Sequence, residues 1–243
     1  MKPEALSQLE MMHRLPQAEI VDRIEYICTA ADQHRVIHVG FVDAGFETMQ
    51  HESGTWLHAH LARYAKSLVG LDVDAAGVRT ARELGYEAYA VDCTRADAVR
   101  ELGLEPAEVI IAGEVIEHVD DPGLFLDAMQ ALLADDGVLV LTTPNASGLL
   151  NVAALLAGYE INHPDHVTRF TWLTLTNLLK RRGFEPIETR TFVPKVKKIP
   201  SRKIRARILG LGAELVLWMS RVLGRLGRPF AADGLIVTAR RAP

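Results

Sequence analysis

Apolar residues recur at helical spacing between Ala18 and Asp32 (Ile20, Val21, Ile24, Ile27, Cys28, Ala31), and the short apolar run Val36 to Gly40 follows at once. This pattern predicts a helix and then a first strand. After a polar loop, Thr55 to Ala65 reads as a helix with Ser53 as its N-cap, and Ser67 to Asp74 as a strand ending in acids. A helix from Ala75 to Leu84, closed by Gly85, precedes a strand from Glu87 to Val91 that ends at Asp92. Val109 to Ala112 is a buried strand, Gly123 to Ala134 a helix behind Pro122, and Gly137 to Leu141 a strand running into Thr142-Thr143-Pro144-Asn145. Thr171 to Arg182 predicts a helix stopped by Gly183; Phe184 to Phe192 and Gly234 to Ala239 read as the last strands.

Continuous apolar strands separated by helices imply parallel strands buried on both faces, because each crossover lays a helix over the sheet. The expected fold is therefore α/β, Rossmann-like and doubly wound. Ligands of such sheets bind at the carboxyl ends of the strands. Gly40, Asp72, Asp92, Ala112 to His118 and Thr142 to Asn145 should then face one crevice.

Composition narrows this picture. A chain of 243 residues, 49% hydrophobic, is of a size for one α/β domain. Its divisions are expected to be an N-terminal helical cap (1–34), a core (35–194), a basic amphipathic helical insert (195–230) and a last strand (231–243). Cys28 and Cys93 lack the spacing of a disulfide framework or thiolate metal site, which suits a reducing compartment. No signal-peptide pattern or long apolar span is evident, so a cytoplasmic protein is expected, with peripheral membrane attachment open. The net charge of −4 is uneven: ten basic residues and one acid, Glu214, lie between Lys195 and Arg228. Within that stretch Ile204, Ile208, Leu211, Leu215, Met219, Val222 and Leu226 mark an amphipathic helix. A helix packed over the pocket, an anionic membrane surface engaged through 201–228, and a homodimer contact are all open for it. Nucleic acid is disfavoured, since aromatic stacking groups other than Trp218 are absent from the segment.

An acid at the end of the second strand, Asp72, suits two adjacent ribose hydroxyls, and Asp92 at the end of the third suits an amino donor; both are equally at home as helix caps. A nicotinamide enzyme is disfavoured because no GxGxxG follows the first strand. The series of strand-end acids, followed by Ala112-Gly113-Glu114-Val115-Ile116-Glu117-His118-Val119-Asp120-Asp121-Pro122 and Thr142-Thr143-Pro144-Asn145, resembles class I S-adenosylmethionine-dependent methyltransferases. It is similar in particular to the branch holding the ubiquinone-biosynthesis O-methyltransferases and many small-molecule and sugar methyltransferases. The resemblance runs from about Val36 to Phe192, with Gly234 to Ala239 as the closing antiparallel strand. It implies a seven-stranded sheet binding S-adenosylmethionine, with Asp72 on the ribose, Asp92 near the adenine and Ala112 to Glu114 beside the methionine. The implied cofactor-binding residues are Gly40, Asp72, Val73, Asp92, Cys93, Gly113 and Glu114.

The first-strand motif departs from the family pattern. It reads His38-Val39-Gly40-Phe41-Val42-Asp43-Ala44-Gly45, with histidine in the acid's place and Val42 in place of a glycine. The interval to Asp72 is also longer than usual for the family, and the extra loop carries Glu47, His51, Glu52, Ser53 and Gly54 as substitute contacts.

Glu114, Glu117 and His118 stand at i, i+3 and i+4, which predicts one shared face if a helical turn follows the fourth strand. His163-Pro164-Asp165-His166 adds two imidazoles downstream, whereas His13, His34, His58 and His60 occupy ordinary helical or loop positions. The ExxEH run with a later histidine resembles the divalent-metal set of ubiquinone O-methyltransferases and small-RNA ribose methyltransferases, implying Glu114, Glu117, His118 and His166 as ligands. Such a set admits magnesium, manganese, iron or zinc. A metal-free site with His118 or His166 as general base beside Glu117, and a positional role such as Glu114 holding the cofactor's amino group, remain open. The resemblance implies an enzyme that O-methylates a small-molecule, sugar or lipid-linked hydroxyl. An RNA-end ribose methyltransferase and a catalytically silent scaffold are the alternatives.

Overall fold

The computed structural model describes residues 11–42, 55–194 and 204–243. Seven strands form one sheet: β1 (Arg35–Val39), β2 (Ser67–Asp72), β3 (Glu87–Ala90), β4 (Ala107–Gly113), β5 (Leu133–Pro144), β6 (Phe184–Phe192) and β7 (Gly234–Arg241). Their order is β3-β2-β1-β4-β5-β7-β6. β1 to β5 pair in parallel, and β7 enters antiparallel between β5 and β6. This is the expected doubly wound sheet with an antiparallel last strand.

Alternation along the central strands sends Ile37, Val39, Ile110, Ala112, Leu139 and Leu141 into one core. Val36, Val109, Ile111, Val140 and Ile236 enter the other. The first core is closed by α5 (Pro122–Leu132) through Phe125, Leu126 and Met129, and by α7 (Trp172–Arg181) through Leu175 and Leu179. The second is closed by α1 (Arg23–Ala31) through Ile27, Cys28 and Ala31. The remaining described helices are α2 (Leu57–Leu61), α3 (Ala75–Glu83), α4 (Ala96–Glu101), α6 (Leu149–Leu156), α8 (Ile204–Arg225) and a 3₁₀ turn at Pro229–Ala231.

Helix starts follow cap chemistry. The periodic pattern begins at Ala18, but α1 begins at Arg23, because the Asp22 carboxylate accepts hydrogen bonds from the Ile24 and Glu25 amides. The residues before it stay extended, and Ile20 bridges Thr191 at the end of β6. Asp121 caps α5 in the same way, with Pro122 at its first position, and Thr171 and Thr174 form a capping box on α7. Ser53, expected to cap α2, lies outside the described residues, as do Glu47, His51, Glu52 and Gly54.

Candidate functional site

Where β1 lies between β2 and β4, the chain crosses to opposite sides of the sheet, and the loops at the carboxyl ends of these strands form the crevice expected of the topology. Gly40 closes β1 at φ +66°, and a Cβ there would lie 2.2 Å from Val115 Cγ2. Glycine is required on both counts. Phe41 and Val42 turn inward: a Cβ at Gly70 would meet the Phe41 ring at 2.8 Å, and one at Gly77 would meet Val42 Cγ1 at 2.2 Å. The side chains of Phe41 and Val42 are thus housed by glycines in β2 and α3.

Asp72 binds this loop. Its Oδ2 accepts from the Val42 amide at 3.0 Å and its Oδ1 from the Asp74 amide at 3.0 Å, leaving each oxygen a further lone pair for a ribose hydroxyl. Burial raises its pKa, with these amides pulling the other way. Val73 beside it is 76% exposed, a free apolar side chain at the crevice. Asp92 turns Oδ1 to the Thr94 amide and hydroxyl, which holds its pKa low. That is a turn cap. The Cys93 thiol is pushed up to about 12, mainly by burial and then by the charges of Asp72 and Asp92, so it presents a neutral wall.

His38, in the acid's place on β1, is buried, and its Nδ1 lies 3.1 Å from Nδ1 of His58. His58, read from sequence as an ordinary helical position, is fully buried among Phe41, Trp56 and Tyr86. Desolvation drives both pKa values down, His58 to about 3, so the pair is neutral and one ring donates to the other. The Trp56 indole N–H donates to the Phe41 carbonyl at 2.9 Å, tying α2 to the loop.

The one shared face expected for Glu114, Glu117 and His118 does not form. Glu114 adopts φ +58°, a left-handed conformation costly for a residue with a Cβ, so the chain leaves β4 out of helical register. Glu114 meets Arg23 at 3.5 Å, while Arg23 Nε donates to Thr142 Oγ1 at 3.1 Å. Glu117 is 1% exposed; its Oε2 accepts from Thr143 Oγ1 at 3.1 Å, and its Oε1 has no hydrogen-bond partner among the described residues. Desolvation raises its pKa to about 7, aided by the charge of Glu114. Its carbonyl accepts from the Val167 and Thr168 amides and so fastens the loop bearing the downstream histidines.

His118 faces outward to that loop. Its ring meets His166 edge-on at a centroid distance of 4.5 Å and His163 at 5.9 Å. One ring nitrogen from each of His118, His163 and His166 lies within 4.8 Å of the others. His166 Nδ1 bonds Asn162 Oδ1 at 2.9 Å, which leaves Nε2 for the cluster, and burial together with the neighbouring imidazoles lowers its pKa. The converging donors are therefore three imidazoles; Glu114 and Glu117, drawn away by Arg23 and Thr143, are not among them. Three imidazole nitrogen donors suit a borderline divalent cation such as zinc or iron better than magnesium or manganese. His163 and Arg23 are the residues that sequence reasoning did not select. The i, i+3 spacing of His163 and His166 was a usable signal; nothing local marks Arg23.

Comparison with known proteins identifies the family. A family model described as "Methyltransferase domain" matches residues 52–189, more than half of the chain. The chain belongs to the methyltransferase domain family. Among curated relatives of this methyltransferase domain is the ubiquinone biosynthesis O-methyltransferase of Ruegeria pomeroyi, 29% identical over 154 residues, covering 58% of this chain and 60% of the relative. The enzyme of the same description from Parvibaculum lavamentivorans is 33% identical over 95 residues, covering 38% and 37%. The match thus spans between a third and three fifths of the curated relatives' length. A SAM dependent methyltransferase from Archaeoglobus fulgidus superposes with TM-score 0.53 at 16% identity, over 89% of this chain and 90% of that one. A Burkholderia thailandensis 1,6-didemethyltoxoflavin-N1-methyltransferase, solved with S-adenosylhomocysteine, gives 0.50 at 16%, over 90% and 77%. At these identities the structural likeness is one of fold.

Proposed function

We propose that this methyltransferase domain transfers a methyl group from S-adenosylmethionine to a hydroxyl oxygen of a small molecule. The convergence of His118, His163 and His166 beside Glu117, at the end of the strand that would flank the methionine, carries the reading. Asp72 would hold the ribose, Val73 and Cys93 would line the adenine side with Asp92 at the rim, and Gly40, Gly113 and Glu114 would lie along the methionine. Bound S-adenosylmethionine supplies an electrophilic methyl group on sulfonium. Arg23 keeps Glu114 oriented across Gly113, where a Cβ would approach the guanidinium to 2.8 Å.

His118 or His166 would take the hydroxyl proton as the oxygen attacks, through a ring nitrogen exposed to the acceptor. Glu117 acts from beneath by anchoring the histidine loop through its carbonyl. The tight three-imidazole cluster favours a second form of the same site, in which His118, His163 and His166 would hold a divalent cation, whose chemistry there would be Lewis-acid polarisation of a bound hydroxyl. In either form the acceptor is bound on the histidine side and the cofactor on the Asp72 side.

Isothermal titration with S-adenosylmethionine and S-adenosylhomocysteine, followed by labelled-methyl transfer to catechols, sugars and RNA oligomers, tests the proposal. Saturable binding and methylation of a small hydroxyl acceptor, lost in His118→Ala and His166→Ala, is expected. Absence of binding to either ligand at millimolar concentration overturns it, and transfer to RNA alone moves the acceptor class.

A further inference from the structure

Helix α8 is apolar on two opposite sides. One side is packed: Leu217 and Ser220 are buried, and a Cβ at Gly224 would lie 2.3 Å from Ile20 Cδ1. The other side repeats Leu211, Leu215, Trp218 and Met219 at helical spacing, all exposed, with Leu215 at 57% and Trp218 at 58%. Helix α6 packs beside it with the sequence LLNVAALL and no buried residue, Leu156 reaching 84% exposure. Two adjacent helices that leave such side chains in water mark an interaction surface.

Charge selects the partner. The sequence from Lys195 to Arg228 carries ten basic residues against one acid, and Arg221 and Arg225 stand exposed on α8. Closing this face on a second copy would bring the arginines of two α8 helices together, whereas an anionic bilayer attracts them. No helix among the described residues is long and apolar enough to cross a membrane, so a helix of this kind lies in the interface plane. Trp218, apolar in body with one N–H donor, suits that depth.

We propose that the exposed apolar face of α8, together with α6, docks the protein on membranes containing anionic phospholipid. The docking does not depend on the methyltransferase reading above.

Co-sedimentation of the full chain with vesicles of phosphatidylcholine, with and without phosphatidylglycerol, tests the surface. Binding only to the anionic vesicles is expected, weakened at least about tenfold by raised salt. Leu215→Glu/Trp218→Glu should weaken it by at least about tenfold while circular dichroism stays unchanged. Tryptophan emission should shift to the blue on vesicle addition, and Trp218→Phe should remove that shift, a readout independent of the double variant's folding. The proposal is overturned if the chain fails to pellet with anionic vesicles, if the double variant pellets as the parent does, or if light scattering finds a dimer that the double variant splits. Loss of S-adenosylmethionine binding with intact vesicle binding would remove the catalytic reading and leave this one standing.

Discussion

Val42 and Gly77 share one space between the loop after β1 and helix α3, so that a Cβ on Gly77 would fall 2.2 Å from Val42 Cγ1. The Val42 side chain is accommodated by the absent side chain on the facing helix. Val42 can then present its amide to Asp72 at 3.0 Å. Gly77→Ala is expected to destabilise the fold by about 1–3 kcal/mol through overpacking. Val42→Gly in the same chain should recover most of that loss, a coupling that urea unfolding of the four-member cycle measures directly. Equal losses in the single and double variants would show that the two residues do not compete for this space.

Asp72→Asn keeps the shape and removes the charge that the Val42 and Asp74 amides bind. S-adenosylmethionine affinity should fall on the order of tenfold to a hundredfold, as for loss of a charge-assisted hydrogen bond. Titration calorimetry reads the change. Unaltered affinity would place the ribose elsewhere.

His163 separates the two forms of the proposed site. With a cation bound, His163→Ala, His118→Ala and His166→Ala should each lower turnover on the order of a hundredfold, and chelation should do the same to the parent protein. With a histidine base alone, His163→Ala and chelation should be nearly silent. Cofactor affinity should hold in all three variants, which steady-state kinetics beside calorimetry will establish.

Asp233 gives the fold a pH dependence. Its Oδ1 accepts the Leu150 and Asn151 amides at 2.9 and 3.3 Å and so starts α6, while Oδ2 is buried with no hydrogen-bond partner among the described residues. Burial raises its pKa from 3.8 to about 6, against the pull of those amides. A raised carboxyl binds more protons in the folded state. Its contribution is therefore full below pH 3.8 and is lost as pH rises through about 6. Asp233→Asn should remove that slope and leave the protein more stable above this window, on the order of 3 kcal/mol at most. Denaturant midpoints across the window test it; an unchanged slope would assign the dependence to other groups.

Much of the fold was legible because strand and helix periods differ and the central strands are buried on both faces. Val109 to Ala112 could be nothing but interior, and Asp72 had to fall at a strand's carboxyl end. Short helices were not legible: α4 holds six residues and α6 exposes its apolar side chains, so neither shows a buried stripe. The site was legible in its residues but not in their directions. Spacing placed Glu114, Glu117 and His118 on one face, and one left-handed residue, Glu114, sent them to three different partners.

The sequence by itself determined the order of strands and helices, the strand ends that carry acids, and the presence of imidazoles on either side of the fifth strand, since these depend on local periodicity and cap chemistry. Only the tertiary structure decided which imidazoles meet, that His38 is answered by His58 and Val42 by Gly77, and that Arg23 reaches Glu114. Those relations join residues far apart in the chain whose contact follows from the sheet order. No local pattern encodes them.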